Sequence, residues 1–357
     1  MADLYINYGK DIQQMTYQLM ERAKINERIS SGMKVCIKPN LVVSRPADGG
    51  ATTHPEIVEG IIQYLQEYGV KSIAITEGAW VGDSTTRGFD NCGYSALFHR
   101  YGVELIDTKR DHTVKISSNG FELLVCESIH KADYLINVPV LKGHCQTDMT
   151  CCLKNLKGCI PDSEKRRFHS MGLHKPIAAL AAAIKPDLHI VDSICGDLTF
   201  EEGGNPVISD RIMLGFDGLL LDSYGAGLMG YSPDEIEHLR FARQYGVGNY
   251  ISSSTVIEEL NCNQRPLYAK QPSRIAKLLA ESVDEDSACS ACYAALIFAL
   301  HKSGYRSSNK IKIGQGFKGK TLNGVGVGNC TSGCAYNLSG CPPHAVDIVS
   351  FLNTIGV

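Results

Sequence analysis

Five cysteines near the carboxyl end of this 357-residue chain have the types and spacing of a metal centre. Cys289-Ser-Ala-Cys292 opens a predicted helix, and Cys330-Thr-Ser-Gly-Cys334 and Gly340-Cys341-Pro342-Pro343 follow. A Cys-x-x-Cys pair at a helix start lets two thiolates face one centre, while the helix N-terminus offers positive potential to an anionic cluster. Cys330 and Cys341 supply the second pair, and four thiolates suit a [4Fe–4S] cube; a proline directly after the last cysteine matches the Cys-Pro ending of ferredoxin runs. Cys334 is an alternative ligand or a neighbour of the centre. Structural zinc is the main rival, because four thiolates also satisfy a tetrahedral ion, although the second half lacks the tight knuckle of zinc ribbons. The bland reading is a set of thiols with no metal.

A second constellation lies in NVPVLKGHCQTDMTCCLKN, residues Asn137–Asn155. Lys142, His144, Lys154, Asn155 and Lys157 crowd together, followed by Lys165, Arg166, Arg167 and His169. From Lys142 to Lys175 there are seven Lys/Arg against three Asp/Glu. Such a patch in a near-neutral protein suits phosphate or carboxylate groups. The competing reading is a solvated basic loop. Gly143, His144 and Asn155, which solubility does not require, favour a site. Cys145, Cys151, Cys152 and Cys159 match no ferredoxin spacing and read as core thiols, as do the isolated Cys36, Cys92, Cys126, Cys195 and Cys262.

These groups need a scaffold. Asp11–Arg28, Glu56–Tyr68, Tyr94–Tyr101 and Pro176–Ile184 have helical spacing, and Lys34–Lys38, Ser72–Thr76, Val103–Asp107, Asp133–Val140 and Leu188–Val191 read as strands. Thr53 is the expected N-cap of the second helix, with Pro55 in its first turn. Alternation of strands and helices predicts an α/β fold with a mainly parallel sheet flanked by helices. Ligands of such sheets sit at the carboxyl ends of the strands. Lys38, Asn40, Glu77, Lys142, His144 and Asp192 fall at those ends, and His54 opens the second helix. Any one alone reads more simply as a turn, cap or ion pair; together they outline one composite site. Asp222 is a further carboxylate able to pair with those lysines or hold a divalent ion.

The expected division is a 1–284 core domain and a 285–357 cysteine-rich module. The glycine-rich 311–328 segment reads as a turn or hairpin returning Cys330 towards Cys289 and Cys292, and no repeat is evident. The net charge of −3 argues against global attraction to nucleic acid or anionic membrane. The apolar runs are too short to span a bilayer, and Met1–Lys10 lacks the features of a signal peptide. A cytoplasmic location follows, where disulfides do not persist and concentrated cysteines point to metal or redox chemistry. Standard nucleotide loops and the Gly-x-Ser-x-Gly elbow do not occur.

With these motifs laid out, the chain resembles the family called domain of unknown function 362. The matching stretches are KPNLV (Lys38–Val42), ATTHPEIV (Ala51–Val58), VPVLKGH (Val138–His144), LKNLKGCIP (Leu153–Pro161), His169 and IVDSICG (Ile190–Gly196), with Gly203-Gly204 and Asp222. The resemblance implies a [4Fe–4S] module, although the usual double Cys-x₂-Cys-x₂-Cys run is missing. The leading expectation is an iron–sulfur oxidoreductase acting on a small anionic substrate or cofactor. Lys38, Asn40, Glu77, Lys142, Lys154, Asn155, His169 and Asp192 would bind the ligand, and His144 or His54 would move protons. Cys289, Cys292, Cys330 and Cys341 would hold the cluster, and an electron-transfer protein would be its partner. The alternatives are a non-enzymatic electron carrier or sensor, and a metal-assisted transferase with a structural cluster or zinc.

Overall fold

The Lys34–Lys38 run buries four of its five residues in succession, as a strand covered on both faces must. It lies near the middle of an eight-stranded sheet in the computed structural model, which describes residues 2–266, 275–305 and 310–355. In chain order the strands are β1 (Leu4–Tyr8), β2 (Lys34–Lys38), β3 (Ser72–Glu77), β4 (Glu104–Asp107), β5 (Thr113–Ser118), β6 (Phe121–Cys126), β7 (Tyr134–Asn137), β8 (Lys142–His144), β9 (Asp148–Thr150), β10 (Leu188–Asp197), β11 (Pro206–Gly215) and β12 (Ile257–Leu260). The main sheet has the order β12-β1-β11-β10-β7-β2-β3-β4, while β5 pairs with β6 and β8 with β9 in separate hairpins. Every neighbouring pair in the main sheet is parallel except those made by β11, which runs against both β1 and β10. The fold is therefore α/β with a mainly parallel sheet flanked by helices.

Helices cover both faces. Ile57, Val58, Ile61, Ile62 and Leu65 form the buried stripe of the Pro55–Glu67 helix, which joins Leu19 and Ile37 in one core cluster. The other face packs Ile177, Leu219 and Phe168 against Val191 and Met213. The N-cap position of Pro55–Glu67 belongs to His54, not to Thr53 as expected. Thr53 Oγ1 is occupied elsewhere: it accepts from Asn40 N (2.8 Å) and donates to Val138 O (2.8 Å). That hydroxyl ties the loops leaving β2 and β7 together at the carboxyl edge of the sheet.

Strands β13 (Val283–Glu285), β14 (Ile311–Ile313), β15 (Leu322–Val327) and β16 (Cys334–Leu338) form a second sheet in that order. All its pairings are parallel, so the glycine-rich stretch is not a hairpin. The chain instead coils: Leu322 pairs with Cys334 and Lys312 with Gly326, each strand returning in the same direction after a tight corner. Gly314, Gly328 and Gly340 mark successive corners, all at positive φ (129°, 98° and 150°). A Cβ on Gly314 would fall 1.9 Å from Asp286 O, so only glycine permits that approach. The Gly-marked corner is a structural repeat too irregular in spacing to stand out in the sequence. The module's core holds Leu296, Leu300 and Ile348, with Leu279 from ahead of residue 285 and Phe200 from the main domain. Its first strand, β13, begins at Val283, so the expected 284/285 division cuts through a strand.

A candidate cavity beside a cysteine cluster

The Lys38 side chain leaves the end of β2 fully buried, and burial of an ammonium demands partners. Its Nζ donates to Glu77 Oε2 at 2.6 Å, to Pro39 O at 2.8 Å and to Asn155 Oδ1 at 3.4 Å. Glu77, at the end of neighbouring β3, also accepts from Leu41 N and from Gly78 N. A Cβ on Gly158 would lie 2.1 Å from Glu77 Oε1 and 2.6 Å from Lys38 Nζ, so the absence of a side chain there lets the backbone close over the pair. Asn155 joins this floor to Asn40, whose Nδ2 donates to Asn155 Oδ1 at 3.0 Å.

Above the floor lies a cavity of about 90 Å³, room for several waters or a small ligand. Lys142, Lys154, Lys157 and Lys165 line it, with His144, His169, Glu201, Trp80 and Cys289. Lys142 donates to Ala51 O, to Glu201 O (3.0 Å) and to Asn40 Oδ1 (3.3 Å). Burial pushes its ammonium down to about 7, against the pull of the Glu201 carboxylate. Lys165 donates to Gly78 O (3.0 Å) and Ala79 O (2.9 Å) and pairs with Asp162 at 3.3 Å.

Lys154 and Lys157 are partnered differently, by imidazoles. Lys154 Nζ lies 2.7 Å from His144 Nε2, and Lys157 Nζ 3.3 Å from His169 Nε2. Burial lowers Lys154 to about 8 and drives both histidines well below their ordinary range. The far nitrogen of His144 meets Glu201 Oε2 at 3.1 Å, so Glu201, His144 and Lys154 form a buried carboxyl–imidazole–amine chain. Gln146 N and Thr147 N also point at that Nδ1, at 3.1 and 3.3 Å. Two neutral-sum proton arrangements keep His144 uncharged, as its lowered basicity requires: carboxylate, imidazole and ammonium, or carboxylic acid, imidazole and amine. The amides favour the second, in which Nδ1 is an acceptor, and burial raises the Glu201 carboxyl in the same direction.

His54 and Asp192, expected to join this site, pair with each other outside the cavity lining. His54 Nδ1 and its backbone N lie 2.7 and 2.8 Å from Asp192 Oδ2. Burial opposes the imidazolium, but the Asp192 carboxylate overrides it and raises His54 to about 11. Its Nε2 lies 3.8 Å from Cys195 Sγ. Asp222 meets neither lysine nor open space; it is fully buried, and its oxygens accept from Cys152 N (2.6 Å) and Leu153 N (3.1 Å), starting the Cys152–Asn155 helix. Cys151, Cys152 and Asp222 are the one set among the described residues whose ligand atoms all lie within 4.8 Å of one another. The carboxylate is committed to backbone amides and all three residues are sealed in the core. That arrangement is a helix cap among core thiols.

At the cavity edge stands the carboxy-terminal thiol group. Cys289 is the N-cap of the Ser290–Ser303 helix, and Cys292 lies in its first turn. Cys330 and Cys341 follow the Gly328 and Gly340 corners, which are hydrogen-bonded to each other through Asn329 N and Gly340 O (2.9 Å). Burial raises the Cys292 thiol to about 12, and Cys289, Cys341 and Cys330 push it further as charged neighbours. Cys334 belongs to β16 and its Sγ faces Gly326, where a Cβ would approach it to 2.8 Å. Its charged neighbour is Lys312, not the other thiols. The Cys341–Pro342 corner abuts Gly82 of the main domain, where an added Cβ would meet Pro342 Cδ at 2.5 Å. Ser290 Oγ and Gln146 Oε1 (2.9 Å) join the two parts beside the cavity.

The cavity lining thus includes Asn40, Glu77, Lys142 and His144 from the strand ends and Lys154, Asn155 and His169 from the basic constellation, and not Lys38 or Asp192. Glu201 and Trp80 were not legible as site residues. Glu201 sits in an Asp-Leu-Thr-Phe-Glu-Glu run beyond β10 whose return to Lys142 depends on the tertiary fold, and its signal in the sequence was confined to the neighbouring glycines. A family model described as "Domain of unknown function (DUF362)" matches residues 35–227, which contain most of this lining. The chain belongs to the DUF362 family. A thylakoid-associated protein of Synechocystis is 30% identical over 193 residues, 51% of this chain and 57% of that relative's length. The chain therefore spans little more than half of that relative. Among solved structures, the lactate racemase apoprotein of Thermoanaerobacterium thermosaccharolyticum aligns with a TM-score of 0.43 at 14% identity, covering 63% of this chain and 57% of its own. A Thermotoga maritima protein aligns with a TM-score of 0.39 at 13% identity, covering 66% and 60%. No helix of the described residues is long and apolar enough to cross a membrane.

Proposed function

We propose that this DUF362 protein is a cytoplasmic iron–sulfur oxidoreductase that binds a small anionic substrate beside one [4Fe–4S] cluster. The observation that carries the reading is that Cys289 lines the same cavity as Lys142, Lys154 and Lys157. Cys289, Cys292, Cys330 and Cys341 would hold the cluster, and they fit it chemically: four thiols in mutual electrostatic range at a helix N-terminus and two adjoining corners. Among the described residues no three of these sulfurs come within 4.8 Å of one another. Tetrahedral zinc with bonds of about 2.3 Å requires sulfurs about 3.8 Å apart. A cube binds each thiolate at a separate iron, so its ligands stand further apart. Metal analysis distinguishes the two.

When bound, the cluster supplies one-electron transfer. The chain's own residues do the rest: Lys142, Lys154 and Lys157 attract the anion, Asn40 and Asn155 orient the floor, and the Glu201–His144–Lys154 chain holds or delivers a proton at Lys154 Nζ. A small electron-transfer protein would exchange electrons at the exposed Cys341 corner.

Iron and acid-labile sulfide on anaerobically purified protein test this. About four of each per chain, with a visible band bleached by dithionite, supports the reading. Cys289→Ser and Cys341→Ser should each lose most of the iron, and Cys334→Ser should keep it. Zinc at one per chain, or full iron retention in both ligand variants, would overturn it.

A further inference from the structure

We infer that the cavity is built for a small dianion, with one negative group at Lys154 and another at Lys157. This rests on the reading of the cavity as an anion site. Lys38 is neutralised by Glu77 at 2.6 Å, and Asp162 is shared between Lys165 and Lys109, 3.3 Å from each. Three further lining lysines remain, Lys142, Lys154 and Lys157, all lowered by burial and Lys157 well below its ordinary range, and Glu201 is the one lining carboxylate left to oppose them. With all three protonated around a bound anion the excess is at least two positive charges. Shifting protons along Glu201, His144 and Lys154 leaves the sum unchanged, because that chain is neutral overall in either arrangement.

Geometry divides the three lysines. Lys142 is turned towards fixed acceptors, two carbonyls and the Asn40 amide oxygen, so it contributes field more than contact. Lys154 and Lys157 have no carboxylate within 4.0 Å among the described residues; each is backed by one imidazole nitrogen, which leaves N–H donors for a ligand. Two such groups on consecutive turns, Lys154 and Lys157, present paired donors to one cavity of about 90 Å³. A monoanion would leave one of them uncompensated in a buried site, which is costly. A compact dianion neutralises both. The shared chemistry is two negative charges on oxygens within one small ligand, whether two carboxylates or a single tetrahedral oxyanion.

The ionisation of the cavity supports the same occupant. With burial holding Lys142 near 7 and Lys154 near 8, the free site sheds protons in mildly alkaline solution. An anion favours the charged forms, so binding takes up protons and weakens as pH rises through that range.

Isothermal titration of the full chain, purified anaerobically, separates the possibilities with malonate, sulfate and acetate at pH 7. Malonate or sulfate should bind at least about tenfold more tightly than acetate, the worth of one charge-assisted contact. Binding by malonate alone identifies a dicarboxylate, and by sulfate alone a tetrahedral oxyanion. Lys154→Gln and Lys157→Gln should each abolish the preference, while Lys10→Gln, on an exposed side chain, should keep it. Melting curves check that the variants fold; where one does not, the selectivity of the native chain decides. Acetate binding within about threefold of both dianions overturns the inference and leaves the anion site standing. Failure of all three probes to bind overturns the anion-site reading itself.

Discussion

His54 and Asp192 define what a single buried pair contributes. The carboxylate is fully buried and lies 2.7 Å from the imidazole. Because the folded-state value of His54, about 11, is raised above its ordinary value, the pair's stabilisation is complete below about pH 6.5 and fades as pH rises towards 11. Asp192→Asn should therefore cost about 3 kcal/mol at pH 6, with a smaller deficit at pH 9, measured by urea unfolding; an unchanged deficit would show that the pair is not charged. At the same scale, Trp80 is the one tryptophan of the chain and lines the cavity. Adding a dianion should shift its emission, and Trp80→Phe should remove the signal without removing heat of binding. A shift that saturates without measurable heat would place the probe elsewhere.

Elements decide how accurately these groups meet. The strand ends were legible because β2, β3 and β7 are buried on both faces and their polar residues begin where the apolar run stops: Lys38, Glu77 and Asn137. The coiled carboxy-terminal sheet was not legible, since β14 is only three residues long, β15 carries two glycines, and period-two alternation is shared by hairpins and parallel coils. Nor could the sequence reveal that Thr53 surrenders the cap to His54, because its hydroxyl accepts from Asn40 N and donates to Val138 O, the latter 85 residues away. The corners carry a prediction of their own. Gly314→Ala places a Cβ against Asp286 O at positive φ and should destabilise the module by about 3 kcal/mol or more. Far-ultraviolet melting should then show the small sheet lost ahead of the large one. Gly102, where an added Cβ meets nothing within 4 Å, is the control for the φ effect alone.

At the scale of the whole molecule, the cavity lies where two cores touch. Phe200 reaches from the main domain into the module's core, its ring centroid 5.6 Å from that of Phe298, and Gln146 Nε2 donates to Ala288 O (3.1 Å) beside the thiols. On the cluster reading, removing the metal should loosen the module while leaving the eight-stranded sheet folded, because Cys289, Cys330 and Cys341 would tie the Ser290–Ser303 helix to the Gly328 and Gly340 corners. Limited proteolysis after chelation should cut beyond residue 280 and spare residues 2–260; a uniform pattern of cleavage would mean that the two parts melt as one. The place of β1 has a further consequence, for the order of assembly. It lies between β11 and β12, strands made some 200 and 250 residues later. While the ribosome is still producing the middle of the chain, the first strand has no mate on either side, and its tyrosines and isoleucine stay exposed. The edge of the sheet thus closes only after residue 260 has been made, a long-range pairing that slows folding and prolongs the exposure of an unpaired strand.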